Sequence, residues 1–535
     1  MSGEIPSGDP IAHGRDLPRG FDEDCDVVII GSGAGGAVMA THLAEAGLRV
    51  IVLEEGPYYR EDEYRKFTPS QTVGRVFREA GLLTAFGIGQ TPIIALTVGR
   101  AVGGSSVLTG GVCFRIPGEV HHRWVHDLGL DELSERALEP AYEDVERRMS
   151  VREVPVAMRS QGTQRFVEGA ARLGIRMDPL RRNTGDDCEG NGRCNFACPA
   201  SAKRSVDVSY LPSAIAHGAR VISDALVERV LVENGRAAGV EGRILGGAMG
   251  APSHRFVVRA PVVVAACGTI HTPLLLQASG LPDRARVLGR NITLHPAVRV
   301  AARFDEPVNG WDGAMQSVHS DHYAADGIKL VGVYTAVNIL ASGFPGVGPA
   351  FRKRVRQLPH CGVFGAMIHD EGGGTVRPGL GREPILSYEM APRDLDRLRR
   401  SVTILSEIAL AAGAREVFTS IFGFPSITSM DEARKMERAR YDARRIECMA
   451  FHPLGSARAS NDARRGVVDQ NGESFELPGL FVADGSILPT SIGVNSQVPI
   501  MSMATRLAWR LAERFPKLLG KSRAAGDVAG LALAV

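Results

Sequence analysis

The chain lacks an excess of charge of either sign: 62 Lys and Arg face 60 Asp and Glu, a formal net charge of +2. That excludes the broadly basic surface with which proteins grip nucleic acid, so no nucleic-acid partner is expected. The chain also lacks any run of 18 apolar residues, so no membrane-spanning helix is expected. Its opening segment, MSGEIPSGDPIAHGRDLPRGFDED, is acidic and Pro/Gly-containing with no apolar centre. No secretory signal is expected from it, and the expected location is cytoplasmic. Internal repeats and low-complexity tracts are missing too. Cysteine is not enriched, with eight in 535 residues, and the five scattered ones, Cys25, Cys113, Cys267, Cys361 and Cys448, are expected to be reduced in a cytoplasmic protein. What is abundant is glycine, 62 residues, about 12% where about 7% is usual. With 44% hydrophobic residues and no G-X-Y period, the excess points to tight turns and close backbone approaches.

The length suggests two to four domains around a large core. After a polar lead-in over 1–21, structure begins at Asp26-Val-Val-Ile-Ile-Gly31, a short apolar run closed by glycine that reads as a buried parallel strand. A helix of small residues follows from Ala34 to Ala46, with Gly47 at the favoured C-terminal position. A second strand, Arg49 to Leu53, completes a βαβ unit. Similar buried strands lie far along the chain at Pro261-Val-Val-Val-Ala-Ala and Leu480-Phe-Val-Ala-Asp-Gly. The spacing predicts an α/β protein in which a Rossmann-like domain is assembled from 22–120, 200–305 and 440–515. Into it are inserted a Cys-containing segment (121–199) and an α+β substrate domain on an antiparallel sheet (306–439), with a tail over 516–535.

Gly31-Ser-Gly33-Ala-Gly-Gly36 lies between a strand and a helix, the context a dinucleotide fingerprint requires. Gly31 permits the turn, Gly33 lets the backbone approach a pyrophosphate, and Gly36 allows helix–strand packing at a helix N-terminus that attracts phosphate. Glu54, 18 residues past Gly36, is placed to accept ribose hydroxyls. These features do not separate NAD from FAD.

Five further segments resemble the glucose–methanol–choline (GMC) oxidoreductases. Gly99-Arg100-Ala-Val-Gly103-Gly104-Ser105-Ser106 is similar to that family's flavin-contacting loop. Gly268-Thr-Ile-His-Thr272-Pro273-Leu-Leu-Leu-Gln-Ala-Ser279-Gly280-Leu281 is similar to its second signature, with Pro282 where another glycine is usual. His452-Pro-Leu-Gly455, Asp484-Gly485-Ser486 and Gly493-Val-Asn495 resemble its C-terminal blocks, nearest to the cholesterol oxidase and long-chain alcohol oxidase branches. The resemblance implies FAD, with Arg100, Gly103, Gly104 and Ser105 in the flavin loop, backbone of Val227 at the adenine, and Asp484 and Gly485 at the ribityl–phosphate end. Leu108 stands where some relatives carry a histidine bonded to the flavin, so noncovalent FAD is expected.

The resemblance also implies oxidation of an alcohol to a carbonyl, with hydride passing to flavin N5. His452 is the expected base, since a neutral imidazole takes a proton near pH 7. Asn495, 43 residues later, is expected to hold the substrate oxygen. A lone histidine is more often a bonded structural residue, but the surrounding block reverses that balance. For His295, in Asn291-Ile-Thr-Leu-His-Pro296, the structural reading is preferred. A helix with Pro499 in its first turn should point its positive end at the flavin.

Cys188-x5-Cys194-x3-Cys198-Pro199 lies in a Gly/Asn-rich loop able to wrap an inorganic core. It is similar to the cluster loop of FAD-dependent sugar dehydrogenases and to cysteine-rich loops of long-chain alcohol oxidases that imply no cluster. A [3Fe-4S] relay, a structural or disulfide-capable loop, and another metal all stay open. The expected partners are a hydrophobic long-chain or secondary alcohol and either molecular oxygen or an electron-acceptor protein. A sugar or polyol dehydrogenase with a relay cluster, a hydroxynitrile lyase and a noncatalytic flavin carrier are the alternatives.

Overall fold

The computed structural model describes residues 11–530 except 18, 247–250, 335, 343 and 382. Most of the lead-in and the last residues of the tail lie outside that set. Strand Val27–Ile30, helix Ala34–Glu45 and strand Val50–Leu53 form the expected βαβ unit. Every residue of both strands is buried. That is why they read as unbroken apolar runs rather than alternating ones.

These strands lie in a six-stranded sheet ordered 12–13, 220–223, 50–53, 27–30, 262–265 and 480–482, and every pairing in it is parallel. Its strands come from three stretches of chain, 12–53, 220–265 and 480–482, so the sheet closes only when distant parts of the chain meet. The long helix Gln497–Gly530 packs on its face against helix Ala34–Glu45. A four-stranded sheet, built on the meander Ala225–Glu233, Arg236–Leu245 and Pro252–Arg259 with Asp22–Asp24 at its edge, adjoins it.

The substrate side of the molecule is a twelve-stranded sheet. It was expected to be antiparallel and is mixed: Thr84–Gly87 pairs parallel with Pro384–Glu389, and Ile94–Leu96 pairs parallel with Cys448–Ala450. Both exceptions join segments more than two hundred residues apart, where no hairpin dictates the direction. Along Ala297–Arg303, Val298, Val300 and Ala302 belong to a buried cluster with Leu398, Val402, Leu405 and Ile408 of helix Pro392–Ala411. Ala297 and Arg299, with part of Val298, line a large cavity. The sheet is therefore a wall, packed behind by helices Pro392–Ala411 and Gln161–Arg172 and open in front.

Candidate active site

The cavity, about 1730 Å3, runs from the glycine fingerprint to the open face of the mixed sheet. Gly31, Gly33, Glu54, Arg100, Gly104, Ser105, Val227, Asp484, Gly485, His452 and Asn495 all line it. Gly36 and Gly103 do not; they shape the loops behind it. Gly31 has φ +99, and a Cβ there would stand 2.4 Å from the carbonyl oxygen of Ala266. Gly35 is the glycine the sequence reading passed over: a Cβ on it would stand 1.6 Å from the carbonyl oxygen of Ala483. It lets the helix start press against the chain leaving strand Leu480–Val482.

Glu54 is buried, and its carboxylate is already oriented. Oε2 accepts from the Ser32 N–H (2.9 Å) and hydroxyl (2.8 Å), and Oε1 accepts from the Gly56 N–H (2.7 Å). A carboxylate offers about four lone-pair sites, so acceptor capacity remains for a ribose. Burial pushes its carboxyl above the usual range, against the pull of these donors. At Val227 the strand register slips between Val227 and Arg229. Such a bulge releases backbone groups from the ladder, which suits contact with an adenine edge. Asp484 is held by Gly268 N–H (2.9 Å), Ser486 N–H (2.7 Å) and the Thr272 hydroxyl. It thereby joins the second signature to the C-terminal block. The facing glycine loops, with only 3.9 Å from a Gly33 Cβ to Gly104 Cα, and the cavity size fit a dinucleotide-sized flavin cofactor.

The second signature also sets the catalytic end. Pro273 sits inside helix Gly268–Ala278 and has no N–H for the carbonyl of Thr269. The buried Ser456 hydroxyl donates to that carbonyl instead. The Thr269 hydroxyl in turn donates to the carbonyl of Pro453, the residue after His452 (2.5 Å). Beside it, Asn495 Nδ2 lies 3.1 Å from His452 Nε2, so the amide donates to an unprotonated ring nitrogen. Burial, with His295 adding to it, pushes the His452 imidazole down to about 3, and Asp370 pulls weakly the other way. His452 is thus neutral at pH 7, and the burial that keeps it so also opposes protonation of the ring.

The profiles of the GMC oxidoreductase family match residues 26–297 and 381–504. The chain belongs to the GMC oxidoreductases. As a member it is an FAD-dependent oxidoreductase acting on CH–OH donors. An uncharacterised GMC-type oxidoreductase of Mycobacterium tuberculosis is 39% identical over 90% of this chain and 75% of its own. A long-chain-alcohol oxidase of Arabidopsis thaliana is 30% identical over 91% of this chain and 67% of its own. Among solved structures, pyridoxine 4-oxidase from Mesorbium loti superposes with a TM-score of 0.70 at 19% identity, covering 91% of this chain and 99% of its own.

In this GMC oxidoreductase the cysteine loop does not take the arrangement expected of a cluster. Cys188, Cys194 and Cys198 share one small cavity of about 20 Å3, room for about one water. No three His, Cys, Asp or Glu side chains among the described residues are arranged to hold a metal. Instead Arg182 Nη2 donates to the Cys194 thiol at 2.9 Å. Burial raises that thiol, but Arg182 and Lys203 more than offset it, and its proton affinity ends lowered. Lys203, fully buried, donates to the carbonyls of Ser106 (3.0 Å), Val107 (2.8 Å), Thr109 (3.0 Å) and Cys194 (2.9 Å). It ties the cysteine loop to the flavin loop, and burial lowers its ammonium to about 8. Neither Lys203 nor Asp370 stood out in the sequence. Gln497, which takes the Thr109 hydroxyl at 2.9 Å and also lines the cavity, was hinted at only by its place two residues after Asn495. No described helix is long and apolar enough to cross a membrane.

Proposed function

We propose that this chain oxidises a hydrophobic, long-chain or secondary alcohol to its carbonyl. The reading rests on the His452–Asn495 pair, 3.1 Å apart, facing a cavity whose far wall is Val331, Val333, Phe344, Val363, Ile421 and Phe422. In it, Gly31, Gly33, Glu54, Arg100, Gly104, Ser105, Val227, Asp484 and Gly485 hold noncovalent FAD, with Gly36 and Gly103 shaping the loops around it. Bound flavin supplies the hydride acceptor. The protein supplies the rest: Asn495 donates to the substrate oxygen, and His452 Nε2 takes the hydroxyl proton. The apolar patch on the far wall suits an alkyl chain or ring system, whose burial there needs no hydrogen bonds, better than a sugar whose hydroxyls the patch would leave unpaired. Polar side chains line other parts of the cavity, among them Asn195, Gln316, Tyr334 and Arg299, the last paired to Glu447 at 2.9 Å. The long-chain-alcohol oxidases among the relatives support the same substrate class and, with it, oxygen as the acceptor.

The cysteine loop carries no step in this reading; it braces the flavin loop through Lys203. Iron and acid-labile sulfide assayed after anaerobic purification decide between that brace and a relay cluster. The central test is an alcohol panel added under nitrogen, read as bleaching of the flavin band, followed by air. Long-chain alcohols should bleach it and air restore it, whereas a hydroxynitrile lyase leaves the flavin oxidised throughout. His452→Ala should keep FAD and slow bleaching by roughly 10²–10⁴-fold. Near-normal bleaching in that variant would place the base elsewhere.

A further inference from the structure

His295 stands between the two segments that carry the proposed reaction. Thr293 and Leu454 exchange backbone hydrogen bonds, Thr293 N–H to Leu454 at 3.0 Å and Leu454 N–H to Thr293 at 2.9 Å. Two residues beyond this isolated bridge on each side stand His295 and His452, whose rings lie 5.6 Å apart. On its other side, His295 Nε2 accepts from the N–H groups of Ile492 (3.1 Å) and Gly493 (3.0 Å). Gly493 is two residues before Asn495. The same turn is gripped twice more: Ser491 donates to Asp370 Oδ1 at 2.6 Å, and His369 Nε2 donates to the Ser491 carbonyl at 3.2 Å. Asp370 Oδ2 also accepts from Leu294 N–H at 2.8 Å, next to His295.

His295 pays for this position. It is fully buried, its backbone is in the left-handed region at φ +50, and its Nδ1 has no hydrogen-bond partner among the described residues. Strain and an orphaned buried nitrogen persist where the surroundings demand them. A residue needed only to fill space would not require an acceptor aimed at two adjacent amides.

We propose that His295 is a positioning residue, an acceptor that fixes the turn before Asn495 against the segment bearing His452 and so sets the spacing of the pair. The inference rests on the reading that this pair handles the alcohol. Its prediction is specific to the acceptor. His295→Asn suits the left-handed backbone but is too short to reach the 492–493 amides, whereas His295→Gln carries its oxygen about as far as Nε2.

The test measures flavin reduction by 1-dodecanol under nitrogen, in stopped flow, on FAD-loaded enzyme. His295→Asn should slow reduction by about 10–100-fold, the cost of misplacing a catalytic group by about 1 Å, with flavin occupancy retained. His295→Gln should recover most of that loss. In a double-mutant cycle, His295→Asn should add less than about threefold to the defect of Asn495→Ala, because the positioned group is already gone. Losses that multiply, a His295→Gln variant as slow as His295→Asn, or failure of both variants to accumulate with flavin would each overturn the assignment. If Asn495→Ala alone reduces at the normal rate, the proposed function fails instead.

Discussion

Replacing Ser456 with alanine removes one hydroxyl, and its consequence can be worked out from one helix. The carbonyl of Thr269 would ordinarily accept from the N–H four residues on, but that residue is Pro273. Ser456 supplies the missing donor, and both groups are buried. In Ser456→Ala the carbonyl is left without a partner, at about 1–3 kcal/mol. The chain is large, so its urea dependence should be at least about 3 kcal/mol per molar, and the unfolding midpoint should fall by less than about 1 M. The informative experiment pairs this change with Pro273→Ala, which restores the helical N–H. In that background Thr269 has its ordinary partner, so Ser456→Ala should cost well under half as much. Urea titration of the holoenzyme, followed by flavin release and by protein fluorescence, reads both differences. An equal cost of Ser456→Ala in the two backgrounds would refute the substitution of hydroxyl for amide. The flavin-release signal matters because Thr269 also holds the carbonyl next to His452.

Glu54→Ala should weaken FAD binding by on the order of 1.5–3 kcal/mol, a charge-assisted acceptor lost, while the protein stays folded; full flavin occupancy after dialysis would refute the ribose role. The pH dependence of flavin reduction should be flat from about pH 8 down to about pH 5. Burial depresses the folded-state affinity of His452 for a proton to about 3, so the base form persists until the pH approaches that value, and a loss of rate centred near pH 6.5 would contradict it. The same depression, shared by His295, means that the unfolded chain takes up protons below pH about 6.5 that the folded chain refuses. Stability should therefore fall as pH drops from about 6.5 towards 3, as thermal midpoints across that range would read.

Much of the fold was written locally. The strands at 27–30, 50–53, 262–265 and 480–482 are short apolar runs, and the glycine fingerprint sits where the first of them meets its helix. His452 and Asn495 were legible because their neighbours form a recognisable block. What could not be read comes from pairings across the chain. Asp370 acquires its role from Leu294, Tyr388 and Ser491, and Lys203 from carbonyls near residue 107. Neither leaves a local pattern. The three cysteines show the same limit: spacing describes what a loop can wrap, and not that a buried arginine from strand Arg181–Asn183 donates to the central thiol.

The order of strands in the parallel sheet bears on how the enzyme is made. Its first βαβ unit is complete by residue 53, yet the strand that finishes the sheet on the other side is Leu480–Val482. Asp484, His452 and Asn495 follow or flank that last strand. During synthesis the nucleotide end is thus assembled hundreds of residues before its closing wall, and chains with such distant pairings fold slowly. A ribosome-bound chain halted before residue 480 would present the fingerprint without the segment that locks it.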